Sequence, residues 1–159
     1  MKSRTSQVII AAMACLGILM VATAVLAQDK IVGTWKLNVA KSKFSPGPAP
    51  KSMTVTYTPS GESLKIVVDL VPADGAKQHW EMSGKFDGSD GTITGNPNAD
   101  TVTFKRLDAN TAGSTFKLAG KVTATNLRTL SADGKTLTIE SKGTTPDGKP
   151  RNDMQVFER

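Results

Sequence analysis

Met53-Thr54-Val55-Thr56-Tyr57-Thr58, then Pro59-Ser60-Gly61-Glu62, then Ser63-Leu64-Lys65-Ile66-Val67-Val68-Asp69-Leu70-Val71 follow one another without interruption. The outer two runs place Met53, Val55, Tyr57 and Leu64, Ile66, Val68, Leu70 at every second position, and Thr, Val and Ile dominate both. That is the period of strands with one buried face. The middle run is a turn, because Gly61 between a Pro-Ser pair and Glu62 supplies the backbone freedom a hairpin needs. Three consecutive pieces thus read strand, turn, strand.

The same grammar extends both ways along the chain. Pro72-Ala73-Asp74-Gly75, Asp87-Gly88 to Asp90-Gly91, Ala132-Asp133-Gly134-Lys135 and Pro146-Asp147-Gly148-Lys149 are further turns between alternating runs. About ten strands are predicted, near residues 31–39, 52–58, 63–71, 76–86, 91–95, 101–108, 113–118, 121–131, 135–143 and 151–158. No segment after residue 27 carries the three-to-four-residue apolar spacing of an amphipathic helix. Sequential hairpins make a meander, and a meander removes its exposed edges by closing. The expected fold is all-β: an antiparallel up-and-down barrel of about 8–10 strands with no helical lid. One segment breaks the rhythm. Ala40 to Lys51 carries three prolines among small residues, which favours an extended irregular path. It is expected as a stiff surface crossover between the first two strands, with a lid over one barrel mouth as the functional alternative.

The N-terminus reads differently. Lys2 and Arg4 precede an apolar run from Val8 to Ala27, and Val25-Leu26-Ala27 leads abruptly into Gln28-Asp29-Lys30. This is the pattern of a secretory signal peptide. Residues 1–27 are expected to be removed, leaving 28–159 as a single barrel domain, periplasmic or extracellular, with no stable membrane span after cleavage. A retained anchor is the alternative, since twenty apolar residues are enough to span a bilayer. Cys15 is the one cysteine and falls inside the leader. The exported chain then has no disulfide, no thiolate metal site and no cysteine nucleophile.

Charge excludes other classes. The chain has 20 Lys and Arg against 14 Asp and Glu. Removing Lys2 and Arg4 leaves 18 against 14, a net charge of +4. These charges are scattered, without the basic stripe that tracks a phosphate backbone, so no nucleic-acid partner is expected. An outer-membrane barrel needs aromatic girdles, and aromatics are only 5% of the residues. His79 is the one histidine, and the chain has no Gly-x-Ser-x-Gly elbow. No enzyme activity, metal site or cofactor is expected. Gly95 to Asp100 reads as a structural turn, since it lacks the spacing of a calcium loop.

Three pieces of the chain resemble the calycin superfamily, the fatty-acid-binding proteins and lipocalins. They are Val32-Gly33-Thr34-Trp35-Lys36-Leu37, then Leu127-Arg128-Thr129-Leu130 with Asp133-Gly134-Lys135-Thr136-Leu137-Thr138, and the closing Val156-Phe157-Glu158-Arg159. The chain is more similar still to a group of exported bacterial lipocalin-like proteins. That group shares the Gly-Thr-Trp-Lys-Leu opening, the proline crossover and the Gly95-Asn96-Pro97-Asn98-Ala99-Asp100 loop, and brings no activity with it. The resemblance implies a barrel closed at one end by Trp35, packed against a basic side chain, with Gly33 as its structural companion. It also implies a ligand site, because Arg128 matches the arginine that fatty-acid-binding proteins use on this strand. The departures are equally specific. The two helices those proteins place after the first strand are replaced by the proline crossover. Their Arg-x-Tyr on the last strand becomes Gln155-Val156-Phe157.

The residues of the eighth predicted strand support the same candidate. Val122, Ala124, Asn126, Arg128 and Leu130 share a face. If Val122 and Leu130 point inward, so do Asn126 and Arg128, and an interior arginine is a planar receptor for a carboxylate. Solvent exposure of Arg128, or stacking on Trp35, are the alternatives. The candidate ligand-binding residues are Arg128, Asn126, Gln155, Phe157 and Trp80, the last sharing a strand face with Met82. The expected function is a monomeric exported carrier of a small hydrophobic or amphipathic ligand. The alternative is a filled barrel that acts as an interaction or inhibitor module.

Overall fold

The computed structural model describes residues 29–145 and 147–159. The leader and Cys15 lie outside the described residues. Ten antiparallel strands form one closed ring. They are β1 (Gly33–Leu37), β2 (Ser52–Ser60), β3 (Ser63–Val71), β4 (Gln78–Gly84), β5 (Asp87–Thr94), β6 (Thr101–Arg106), β7 (Thr111–Leu118), β8 (Lys121–Leu130), β9 (Thr136–Thr144) and β10 (Pro150–Glu158). Each strand pairs with its sequence neighbours, and β1 pairs with β10 to shut the ring. The expected up-and-down barrel is therefore the architecture observed, and among the described residues no helix covers it. Among the described residues the sole helical element is a single 3-10 turn, Val39–Lys41, and no helix is long and apolar enough to cross a membrane.

The period of two places the core. Val55 and Tyr57 of β2, Leu64, Ile66 and Val68 of β3, and Leu137 and Ile139 of β9 are all buried. Two boundaries differ from the sequence reading. Asp87-Gly88 to Asp90-Gly91 is not a turn but the first half of β5. The ladder to β6 slips between Asp87 and Asp90, and the Asp87 carboxylate accepts from the Ser89 backbone N–H and hydroxyl at 2.9 and 2.6 Å. The turn chemistry is spent on a bulge inside a strand. Strand β1 is shorter than the predicted 31–39, because Ile31 tucks under the ring, where it is 2% exposed, and Val39 enters the 3-10 turn.

A second irregularity decides which side chains point inward. Phe116 pairs with Ala124 and Lys117 with Val122, so Thr123 is an extra residue in β8. The bulge reverses the alternation: Val122 is 61% exposed, while Ala124 and Leu130 are buried. Gly143 on β9 accommodates it, since a Cβ there would sit 2.5 Å from the Thr123 carbonyl oxygen.

One end of the ring is closed by the chain termini. Trp35 is fully buried, and its indole N–H donates to the Ile31 carbonyl at 2.8 Å. The guanidinium of Arg159 lies 4.5 Å from the centre of the Trp35 ring and donates to the carbonyls of Gly134, Val32 and Lys30. The basic partner of the plugging tryptophan is thus Arg159, not Arg128. Gly33 has φ +124 where the segment below the barrel turns up into β1, a conformation side chains resist. Phe157, Leu137 and Leu130 form the layer above the plug. Truncating Trp35 to Ala is expected to destabilise the barrel by about 3–5 kcal/mol, read as a lowered urea midpoint, with Trp35→Phe costing less than half of that.

Candidate functional site

The barrel is not filled. Above the Leu130–Leu137–Phe157 layer lies a cavity of about 530 Å³ that opens at the other end. Its size falls in the range of small-molecule sites. The strand ladders arrange its walls. On β8, β9 and β10 the inward residues come in rows. Arg128, Ile139 and Gln155 form the row nearest the plug. Asn126, Ser141 and Asp153 form the next, and Ala124, Gly143 and Arg151 the one nearest the mouth. The wall on the far side, β2 to β4, presents Val55, Val68, Leu70, Trp80 and Met82. β4 lies five steps from β9 around a ring of ten, so the polar stripe faces a mostly apolar wall, with Gln78 its polar member.

Arg128 sits deep in this cavity and is 9% exposed. It forms no ion pair among the described residues. Two aromatic rings lie beside it instead. The guanidinium carbon is 5.2 Å from the Tyr57 ring centre and 5.2 Å from that of Phe86. Arg106 approaches Phe86 as well, at 4.6 Å, and is held by Asp29. Rings beside a guanidinium contribute through their quadrupoles. Taking such a charge from water without a carboxylate partner is costly.

The candidate residues divide. Arg128, Asn126, Gln155 and Trp80 all line the cavity. Phe157 does not: it is fully buried in the layer above Trp35, paired with Leu37 and Leu137. Its expected role as a ligand residue is corrected to core packing. The register explains why, since Phe157 lies two residues nearer the plug than Gln155. Four contributors were missed. Tyr57 brings a phenol from β2 toward Arg128, two strands round the ring from the last strand, where the sequence comparison looks for one. Burial pushes the Tyr57 phenol up from its ordinary 10.0, and the Arg128 guanidinium works in the opposite direction. Arg151, Asp153 and Ser141 form a linked group: the guanidinium donates to Ser141 Oγ at 3.0 Å, and its Nε lies 3.6 Å from Asp153 Oδ2. The alternation of β10, with Arg151, Asp153, Gln155 and Phe157 on one face, carries that signal in the sequence.

The proline crossover is also part of the site. Lys43 exchanges backbone hydrogen bonds with Met154 at 2.7 and 2.8 Å, and the Ser45 N–H donates to the buried Asp153 carboxylate at 3.0 Å. Phe44, Pro48 and Pro50 then reach the cavity. The expectation of a mere surface connection is corrected. Strand β1 covers only the last residues of β10, and the crossover pairs with the part left open. His79, by contrast, lies outside the barrel beside Asp69 at 2.8 Å.

The barrel is similar to several solved structures. One is a redesigned β-barrel, mFAP1, bound to DFHBI, with 18% identity, 82% of this chain and 95% of that one covered, and a TM-score of 0.44. Another is the zebrafish ileal bile acid-binding protein complexed with cholic acid, with 8% identity, 82% and 98% covered, and a TM-score of 0.47. The siderocalin Ex-FABP has 12% identity, 82% and 74% covered, and a TM-score of 0.39. No protein-family model and no curated relative matches the sequence.

The raised Tyr57 phenol has a consequence for stability. A group whose value is higher in the folded chain stabilises it fully below the unfolded value and loses that contribution as pH rises. The wild-type protein is expected to lose stability as pH climbs past 10, beyond the loss shared with Tyr57→Phe. Paired urea titrations from pH 7 to 11 measure the difference.

Proposed function

We propose that this protein is an exported carrier of a small amphipathic anion, bound inside the barrel with its charged group on Arg128. The observation that carries the reading is that guanidinium: deep in the cavity, with two rings beside it and, among the described residues, no carboxylate partner. A ligand carboxylate meets the guanidinium through charge-assisted hydrogen bonds. Tyr57, held protonated by its burial, is placed to donate beside it. The apolar wall supplies burial at roughly 25 cal/mol per Å². Among the described residues no cluster of three or more His, Cys, Asp or Glu fit for a metal ion is present. Export rests on the leader pattern of residues 1–27 alone.

Replacement of Arg128 separates this reading from a structural one. A structural arginine leaves a hole and a loss of stability. An arginine kept for a ligand is a burden on the empty protein. Arg128→Met is expected to raise the thermal midpoint of the empty barrel. The same variant is expected to weaken a long-chain carboxylate by about 10- to 100-fold, as loss of a hydrogen-bonded charge does, while a neutral alcohol of equal length binds as before. Calorimetric melts and displacement of a fluorescent probe supply both readouts. Equal weakening of acid and alcohol, or a lowered midpoint, would overturn the assignment.

A further inference from the structure

The row above Arg128 makes a demand that one charged group does not meet. The Asn126 Oδ1 atom is buried with no hydrogen-bond partner, and so is Arg151 Nε. Buried polar atoms are almost always paired, so each exception needs a reason. Asn126 stands beside Ser141, which stands beside Asp153, and Ser114 of β7 flanks Asn126 on its other side. Ser141 is 2% exposed and Asp153 is 7% exposed. The carboxylate of Asp153 faces Arg151 at 3.6 Å, so this upper part of the stripe offers donors and acceptors with its charges balanced. The uncompensated cation is Arg128, two residues nearer the plug on the same strand as Asn126. That places the two about 7 Å apart along the wall. Elsewhere on the cavity wall, Val55, Val68, Leu70, Trp80 and Met82 offer hydrocarbon and ring surface, with Gln78 the polar residue on the β4 face.

The geometry points to a facially amphipathic ligand: one anionic group at the floor, neutral hydroxyl or amide groups along the same edge, and an apolar opposite face. This rests on the reading of Arg128 above and specifies what lies beyond the charged head. A ligand hydroxyl donates and accepts, so it satisfies the Asn126 amide in either orientation of its plane. A simple alkyl acid lays methylenes against Asn126 and Ser141 and leaves the amide unpaired. Sites built to bond a hydroxyl discriminate against analogues lacking it for that reason.

Two matched pairs of probes test this: stearate against 12-hydroxystearate, and a saturated tetracyclic carboxylate with and without three hydroxyls along one edge. Each is titrated by displacement of a fluorescent probe into the wild-type barrel and into the Asn126→Leu, Ser141→Ala and Arg128→Ala variants. In the wild type the hydroxylated member of at least one pair is expected to bind about tenfold tighter or better. Asn126→Leu is expected to shrink that gap to about threefold or less, and Ser141→Ala to reduce it, while Arg128→Ala weakens both members of the pair alike. If Asn126→Leu fails to fold, Ser141→Ala decides. Equal binding of both members by the wild type, preference for the plain member, or a gap that survives both stripe variants would overturn the inference. When the carboxylates bind with full dependence on Arg128 but without a gap, the facial inference alone falls. When neither carboxylate binds, the carrier reading falls and takes this inference with it.

Discussion

Ring size is the constraint from which the rest follows. Eight strands close on an interior that side chains can fill, whereas ten make a wider one. This chain closes ten, and all eight of its aromatic residues cannot occupy the space they enclose. It concentrates packing at one end instead, where Trp35, Phe157 and Leu137 are fully buried and Arg159 ties three carbonyls across the floor. The remainder of the interior stays open toward the other end. A cavity is thus what remains once a long meander of short strands has removed its edges and packed one end with Trp35, Phe157 and Leu137.

An open interior changes what its polar residues mean. In a packed core, Arg128 would need a carboxylate partner or would give way to an apolar side chain of similar volume. Here Tyr57 and Phe86 lie beside it without neutralising it. The contrast with Arg151 is instructive, because that cation has Asp153 beside it and Ser141 accepting from it. One arginine is compensated by the protein and one is not. The proposed anion at Arg128 rests on that difference. The Asp153 carboxylate also accepts from the Ser45 N–H, so the crossover that shapes the mouth is fastened to the polar wall of the same cavity.

The places where sequence and structure part company share a cause. Period-two alternation predicts which residues face together within a strand, and it holds for β2, β3, β9 and β10. It fails at Thr123, where one extra residue turns Val122 outward while Asn126 and Arg128 stay inward. It misreads Asp87 to Gly91, because aspartate and glycine serve a bulge as readily as a turn. Asn126 and Trp80 were legible as cavity residues from their strand faces, and Gln155 only from its place in the resemblance. Phe157 was not, because a family motif gives its position in a strand but not its height in the barrel. Tyr57 lay on a predicted inward face, yet nothing in its neighbours along the chain connects it to Arg128, which is 71 positions away.

By itself, the amino-acid sequence determined the all-β meander, the hairpin order and the inward faces of most strands, since these depend on turn chemistry and on a two-residue period that each segment carries alone. Only the closed tertiary structure decided that Arg159 stacks on Trp35, that Tyr57 and Phe86 lie beside Arg128, and that the crossover completes the cavity wall. Those contacts join residues far apart in the sequence. Their geometry depends on strand number, bulges and the relative heights of rows, quantities that exist only once the ring has closed.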